Sequence, residues 1–300
     1  MKNGQQTNSG YYLINLYKSR SITALAAGVL VLCVTFSAVV MGIRSFKPED
    51  ESIFHYFTVL SNLFSAVGAS FMIPYAVEGI RQKRFVLPRW VVLFQYCGAC
   101  GVAITMVSTL LLILPTQGAD ALTGMNFWLH LITPTLTVIL FQCVETGVSL
   151  TRKDTFIVLI PYFAYMAIYY VMVIIIGQDR GGWTDFYSTQ TYWPAWVSVL
   201  LMLFLGYVVA RLLCLVQNRR AAQSRKRLSR LWSDDLDPVE LKIEVFGLGR
   251  YMGQHCDSNA MNIPFDIFMM MSERYGVPVF DLAKIYAKGV SDSLEEEKLK

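Results

Sequence analysis

The sequence predicts an all-α membrane protein with six transmembrane helices and a cytoplasmic helical C-terminal tail. Hydrophobic residues make up 54% of the 300 residues and charged residues only 16%, whereas soluble proteins carry about a quarter charged residues. The mean hydropathy is +0.43. The charges are also segregated, since residues 21–42 and 90–117 contain none. Uncharged stretches of about 20 residues match a hydrocarbon core of about 30 Å at about 1.5 Å per helical residue.

Six stretches have about this length. Together with the charged residues before and after them, they define four segments of the chain. The predicted spans are residues 21–42, 53–77, 90–114, 126–144, 155–177 and 195–216. We therefore expect a cytoplasmic N-terminal segment over 1–20, a transmembrane domain over 21–216, a basic juxtamembrane segment over 217–230 and a soluble helical tail over 231–300. The tail is too highly charged to contain a seventh span, because it carries thirteen acidic and seven basic residues.

The basic residues predict the orientation, since Lys and Arg accumulate on the cytoplasmic side of a membrane. The segments before the first span and after the second, fourth and sixth are basic, and the alternate loops are less so. Both termini are therefore expected to be cytoplasmic, in the cell membrane. The segment from Arg219 to Arg230 is expected to contact anionic headgroups, at about 1 kcal/mol per basic residue, or to act only as a topology signal.

The tail is expected to form short helices. Pro238 marks the start of one helix, Gly276 the end of another, and residues Phe280, Leu282, Ile285 and Tyr286 suggest an apolar face on a third. We interpret the tail as a small helical module for a protein partner. Its acidic balance argues against nucleic-acid binding, which requires a positive surface.

The sequence indicates no metal and no cofactor site. Cys97 and Cys100 form a C-x-x-C motif, but they lie inside the third span beside Gly98 and Gly101. Small residues of this kind allow transmembrane helices to approach closely. We therefore interpret "CGACG" as a packing surface rather than a redox or metal site.

The second span carries polar residues that hydrocarbon does not favour. At about 100° per helical residue, His55, Thr58, Asn62 and Ser65 fall within about 80° of one another. A polar side chain inside a membrane normally faces the bundle interior, because it must be paired there. The second span is therefore expected to turn one polar stripe toward the other helices.

The fourth span carries a similar stripe at the same depth. His130, Thr133 and Thr137 fall within about 60° of one another. With both termini cytoplasmic, Thr58 and His130 each lie roughly 6–8 Å below the outer boundary at about 1.5 Å per residue. The loop "QDRGGWTDFYSTQTYWP" lies on the same side and is expected to roof this level.

A threonine and a histidine at one depth suggest acyl-transfer chemistry. A hydroxyl beside an imidazole is the nucleophile and general-base pair of that class of enzyme. We therefore take Thr58 and His130 as candidate catalytic residues, with His55, Asn62 and Thr133 in supporting positions. Asn62 would either donate to an oxyanion or orient a helix. The alternative for the whole set is that these polar residues only hold the helices together.

Three motifs resemble a known family. "FHYFTVLSNLF" in the second span, "LHLITPTL" in the fourth and "TYWP" before the sixth are similar to those of the androgen-induced protein family of intramembrane threonine hydrolases and its bacterial six-helix relatives. The resemblance covers roughly residues 20–216. It implies a catalytic threonine at Thr58 and a catalytic histidine at His130. Animal members hydrolyse fatty acid esters of hydroxy fatty acids, whereas a related branch uses cysteine for acyl transfer, and no cysteine here adjoins Thr58 or His130.

The sequence is therefore compatible with two functions. The first is a hydrolase or acyltransferase that acts on membrane lipid esters near the outer leaflet. The alternative is a non-enzymatic sensor, transporter or assembly protein that signals through its tail. Only Pro134 and Pro161 interrupt helices near mid-membrane, and no span has a central carboxylate, which counts against ion-coupled transport.

Overall fold

The chain is all-α over the part that the computed structural model describes. These residues are 3–45, 52–81, 87–144, 149–187, 189–190, 194–229, 236–255 and 265–298, and they contain no strand. The main helices are α1 (Asn3–Ser45), α2 (Phe57–Arg81), α3 (Arg89–Ser108), α4 (Gly124–Cys143), α5 (Arg152–Ile176), α6 (Ala195–Ser229), α7 (Pro238–His255), α8 (Phe265–Tyr275) and α9 (Val279–Lys298).

Six of the described helices, α1 to α6, contain a stretch long and apolar enough to cross a membrane. This confirms the prediction of an all-α, six-span integral membrane protein. Large apolar side chains project from the bundle, as expected for helices that face lipid; Phe36 and Phe204 are 71% and 67% exposed. The polar residues, in contrast, turn inward.

The second span differs from its prediction at its start. The helix begins at Phe57 rather than at residue 53, and Ile53–His55 forms a separate short 3-10 turn. Tyr56 has an extended backbone between the two elements, with φ −85° and ψ 127°. His55 therefore does not share the polar face of α2, and the prediction that placed it there was wrong because helical periodicity does not continue across an extended residue.

Helix α3 lies at the centre of the bundle, in contact with α2, α4, α5 and α6. Its glycines permit this position. A Cβ atom at Gly98 would lie 2.8 Å from the Cα atom of Ser65, and one at Gly101 would lie 3.1 Å from the Cβ atom of Ser61. The "CGACG" segment is thus a close-packing surface against α2, as the sequence indicated.

The tail helices pack against the bundle. Helix α7 contacts α1 and α9, and α8 contacts α6 and α9. The contact between α7 and α9 is close, since a Cβ atom at Gly249 would lie 2.3 Å from the Tyr286 carbonyl oxygen and one at Gly289 would lie 2.3 Å from the Phe246 carbonyl oxygen. The described tail helices therefore pack on the transmembrane bundle and on one another.

The helix ends in the tail follow the sequence signals. The Asp237 side chain accepts the Val239 and Glu240 N–H groups at 2.6 and 2.8 Å, so it caps α7. Gly276 follows α8 with a positive φ of 69°. One expectation is corrected, because Phe280 is 74% exposed and is not part of the buried face of α9.

The basic segment predicted over 217–230 is not a separate element. Helix α6 continues without a break to Ser229, and Arg230 lies outside the described residues. Arg20 of α1 donates from Nη2 to the Ser224 hydroxyl oxygen at 3.1 Å. This end of α6 is therefore fixed to α1, and its contact with lipid headgroups stays a prediction.

We expect Gly98→Val to destabilise the bundle, because the new side chain would collide with the backbone of α2. Overpacking of this kind costs about 1–3 kcal/mol. Ala26→Val is the matched control, since Ala26 is exposed on α1. The melting temperatures of the two variants in detergent check the prediction, and equal values would contradict the close packing of α2 on α3.

Candidate functional site

Thr58 and His130 are in direct contact at one end of the bundle. The Thr58 Oγ1 atom lies 3.1 Å from the His130 Nε2 atom, and both residues are buried. Thr58 is in the first turn of α2 and His130 near the start of α4. When the ring proton is on Nδ1, Nε2 accepts a hydrogen bond from the Thr58 hydroxyl, which is the arrangement that a general base requires.

Helix α4 has an irregular turn where His130 lies. Residues Trp128–Ile132 form a π-helical turn, and the Thr133 N–H bonds to the Trp128 carbonyl, five residues back. In a regular α-helix that N–H would bond to Leu129. The next residue, Pro134, has no N–H to offer. The Leu129 carbonyl therefore has no donor from its own helix.

Asn62 supplies the missing donor. Its Nδ2 atom donates to the Leu129 carbonyl oxygen at 3.0 Å and to the Thr58 carbonyl oxygen at 2.7 Å. One side chain thereby joins the backbone of Thr58 to the residue beside His130. Both amide hydrogens are used, so the geometry favours the helix-orienting role for Asn62 over donation to an oxyanion.

The two polar faces continue to meet below this level. The Ser65 and Thr137 hydroxyl oxygens are 2.9 Å apart, so α2 and α4 are paired again about two turns further along. On a neighbouring side of α2, the Ser61 hydroxyl lies 3.0 Å from that of Thr105 in α3. The stripes predicted from helical periodicity thus face helices, and their side chains hydrogen-bond to one another.

The side chains of the remaining supporting residues, His55 and Thr133, differ in their surroundings. The His55 ring stacks on Trp183, with 4.6 Å between centroids, and its carbonyl accepts the Tyr165 hydroxyl at 2.8 Å. Thr133 is fully buried, and its hydroxyl has no hydrogen-bond partner among the described residues. His55 therefore belongs to the covering of the site, and Thr133 to the interior of the bundle.

A cavity of about 580 Å³ adjoins the pair. Thr58 and His130 both line it, with Tyr56 just before α2, Asn126 in the first turn of α4 and Tyr187 on the loop between α5 and α6. This volume is in the range of sites for small molecules. A ligand in it would have access to the threonine hydroxyl and the imidazole together.

The loop between α5 and α6 covers this end of the bundle, as the sequence predicted. Trp183 stacks on His55, and Phe186 packs against Tyr56 with 4.5 Å between ring centroids. The "TYWP" motif of this loop lies mostly outside the described residues, which include only its Pro194. The covering observed is therefore made by residues just before that motif.

Asp185 holds the loop in place. It accepts the Tyr169 hydroxyl at 2.6 Å and the backbone N–H groups of Thr189 and Gln190 at 2.9 and 3.0 Å. Burial acts to raise the pKa of Asp185, but these hydrogen bonds outweigh it and hold the pKa below its usual range. The carboxylate is therefore ionised at neutral pH.

Two tyrosines belong to the site although sequence reasoning did not identify them. The Phe57 N–H, at the start of α2, lies 3.1 Å from the Tyr165 hydroxyl oxygen and 3.0 Å from that of Tyr187. The Tyr187 hydroxyl also interacts with the Thr58 side chain, and burial raises the pKa of Tyr187 to about 12. Tyr187 therefore keeps its proton at neutral pH. Its only sequence signal was the aromatic content of the loop.

Comparison with known proteins identifies no relative of this chain. No protein-family model, no curated protein and no solved structure matches this chain. The described residues contain no group of three His, Cys, Asp or Glu side chains that could hold a metal ion. Thr58, His130 and their neighbours are therefore the groups that determine the chemistry of the site.

We expect Asn62→Leu to destabilise the protein and to separate the Thr58–His130 pair. The substitution leaves the buried Leu129 carbonyl without a donor, which costs about 1–3 kcal/mol. Gln95→Met is the control, because the Gln95 amide nitrogen is buried with no hydrogen-bond partner in the described structure. Melting temperatures in detergent check this prediction, and a loss no greater than that of Gln95→Met would contradict the bridging role of Asn62.

We expect Asp185→Asn to loosen the loop at neutral pH. Asparagine imitates the protonated acid, so wild type should lose the same stabilisation as pH falls through the low pKa of the folded state. Hydrogen bonds to a charged group contribute roughly 1.5–3 kcal/mol, so the Thr189 and Gln190 amides should exchange with deuterium at least about tenfold faster. Asp179→Asn, at an exposed position of the same loop, should leave their exchange unchanged. Equal exchange in both variants would exclude Asp185 as the anchor.

Proposed function

We propose that this integral membrane protein is a hydrolase or acyltransferase that acts on lipid esters. The observation that carries the proposal is the 3.1 Å contact between the Thr58 hydroxyl and the His130 imidazole in the wall of a cavity of about 580 Å³. A paired hydroxyl and base beside an empty volume is the arrangement that nucleophilic catalysis requires. The resemblance of the surrounding motifs to intramembrane threonine hydrolases supports the same assignment.

In the proposed reaction, Thr58 Oγ1 attacks the ester carbonyl carbon as its proton passes to His130 Nε2. The tetrahedral intermediate then expels the alcohol, which takes the proton from His130 and leaves an acyl group on Thr58. Water, activated by His130, releases the acid and restores the threonine. With an alcohol in place of water, the same steps transfer the acyl group to a new acceptor.

Tyr187 is the proposed donor to the oxyanion. Its hydroxyl is beside Thr58 in the cavity wall, is neutral, and is positioned by the Phe57 N–H. A preorganised donor at this place would stabilise the negative charge that develops on the carbonyl oxygen. Asn62 is not proposed for this role, because both of its amide hydrogens bind backbone carbonyls.

The site is proposed to open toward the outer leaflet of the cell membrane, with both termini cytoplasmic. The distribution of basic residues supports this orientation. The pair lies near the ends of α2 and α4, where an ester group at the boundary between headgroups and acyl chains would reach it. The substrate is therefore proposed to be a membrane lipid with an ester bond.

A second candidate function is a sensor that signals through the tail. The packing of α7 on α1 and of α8 on α6 favours it, because a ligand that shifted those spans would also shift the tail. Its partner would be a protein that binds the tail. The two functions differ in one measurable property, since only the enzyme has turnover to lose.

We expect Thr58→Val to abolish ester hydrolysis and His130→Gln to lower it by about 10²–10⁴, the usual contribution of a general base. Purified protein is incubated with a panel of lipid esters, and released acid is measured by mass spectrometry. Thr35→Val is the matched control, because Thr35 is a buried threonine in α1 whose hydroxyl has no partner in the described structure.

Hydrolysis by wild type and Thr35→Val, with loss in both site variants, would support the enzyme. Hydrolysis that persists in a folded Thr58→Val protein would exclude Thr58 as the nucleophile. No hydrolysis by folded wild type on any ester of the panel would favour the sensor.

A further inference from the structure

A second cavity, of about 170 Å³, lies between α2, α3 and α5. It is the α2–α5 groove, lined mainly by apolar side chains such as Phe64, Ile104 and Val158. It lies within the membrane-spanning parts of these helices, toward the middle of the bundle from Thr58. Neither Thr58 nor His130 lines it.

The α2–α5 groove opens toward lipid. Helices α2 and α5 each pack on α3, and they meet one another mainly where Phe57 contacts Tyr162 and Tyr165, at 5.1 and 5.0 Å between ring centroids. The α2–α5 groove extends from this contact to Phe64. The exposed residues Leu60 and Pro161 stand at its rim.

A small gap adjoins both the groove and the Thr58–His130 cavity. This gap, of about 20 Å³, shares Phe57 and Tyr165 with the groove, and it shares Thr58 and Tyr187 with the larger cavity. Thr58 thus lines both the gap and the larger cavity, and Phe57 lines both the gap and the groove. The Phe57 ring also packs against Tyr162 and Tyr165, which line both the gap and the groove.

We propose that the α2–α5 groove binds the acyl chain of the substrate, which enters sideways from the bilayer. This inference rests on the proposed function and adds where the three parts of the ester lie: the chain in the groove, the carbonyl at Thr58 and the alcohol part in the larger cavity. Hydrocarbon chains surround the spans at the depth of the groove. An acyl chain is therefore the occupant that this depth favours.

The physics of the groove predicts selectivity by length and shape. A lipid tail is already in an apolar medium, so moving it into the groove gains little from the hydrophobic effect. The gain must come from close packing, which falls when a chain is too short to fill the space or too long to fit it. The groove therefore discriminates among acyl chains by their length and shape, and does not bind any of them tightly.

The test uses cross-linking that does not depend on catalysis. A palmitic acid with a mid-chain diazirine is photolysed with the protein in lipid nanodiscs, and the labelled peptides are mapped by mass spectrometry. We expect labels on groove residues of α3 and α5, in wild type and equally in Thr58→Val. Leu60→Trp fills the rim and should reduce this labelling about tenfold or more, the lower end of what an apolar pocket discriminates per methylene.

Val67→Trp is the matched control, because Val67 is exposed to lipid on the same face of α2, two turns away, and does not line the groove. Gly101→Leu is a second variant that fills the groove from α3, where a Cβ atom would lie 3.1 Å from the Ser61 Cβ atom. Leu60→Trp keeps the test valid if Gly101→Leu does not fold, because Leu60 is at the exposed rim. In an active protein, both filling variants should also shift turnover toward shorter chains.

Groove labelling no stronger than that of the lipid-facing surface, or equal groove labelling in Leu60→Trp and Val67→Trp, would overturn the inference. Groove labelling without any ester hydrolysis would leave the acyl-chain site standing and remove the proposed function. Thr58-dependent hydrolysis without groove labelling would do the reverse.

Discussion

The bridge that Asn62 makes between two backbone carbonyls is the constraint on which the site depends. Pro134 and the π turn of α4 leave the Leu129 carbonyl without a helical donor, and a buried carbonyl in hydrocarbon must find one. Asn62 meets that need from α2 and also binds the Thr58 carbonyl. Because Leu129 precedes His130, this bridge fixes the register in which the hydroxyl and the imidazole meet.

Around this bridge, each element contributes for a separate physical reason. The glycines of α3 allow α2 to lie close to the centre of the bundle. Asp185 holds the loop that places Tyr187 above the cavity. Since α2 and α5 both pack on α3, a space remains between them on the lipid side. The loop thus covers the Thr58–His130 cavity, and the groove lies beside it between α2, α3 and α5.

Sequence reasoning was reliable where the signal is local. The spans follow from hydropathy, and the facing of α2 and α4 follows from helical periodicity and depth, which placed Thr58 and His130 at one level. His55 was misplaced because an extended residue interrupts the periodicity before Phe57. Tyr187 was not identified, because a loop residue has no periodicity and its place depends on contacts distant in the chain. The packing of the tail on α1 was missed for the same reason.

The position of a covalent adduct would show whether His130 activates the Thr58 hydroxyl. Intact protein in detergent is treated with a fluorophosphonate, which releases fluoride when an activated hydroxyl attacks its phosphorus, and the modified peptide is sequenced by mass spectrometry. We expect one phosphonate on Thr58 in wild type and none in a folded His130→Gln protein. An adduct on another residue, or no adduct on well-folded wild type, would contradict the claim that His130 activates Thr58.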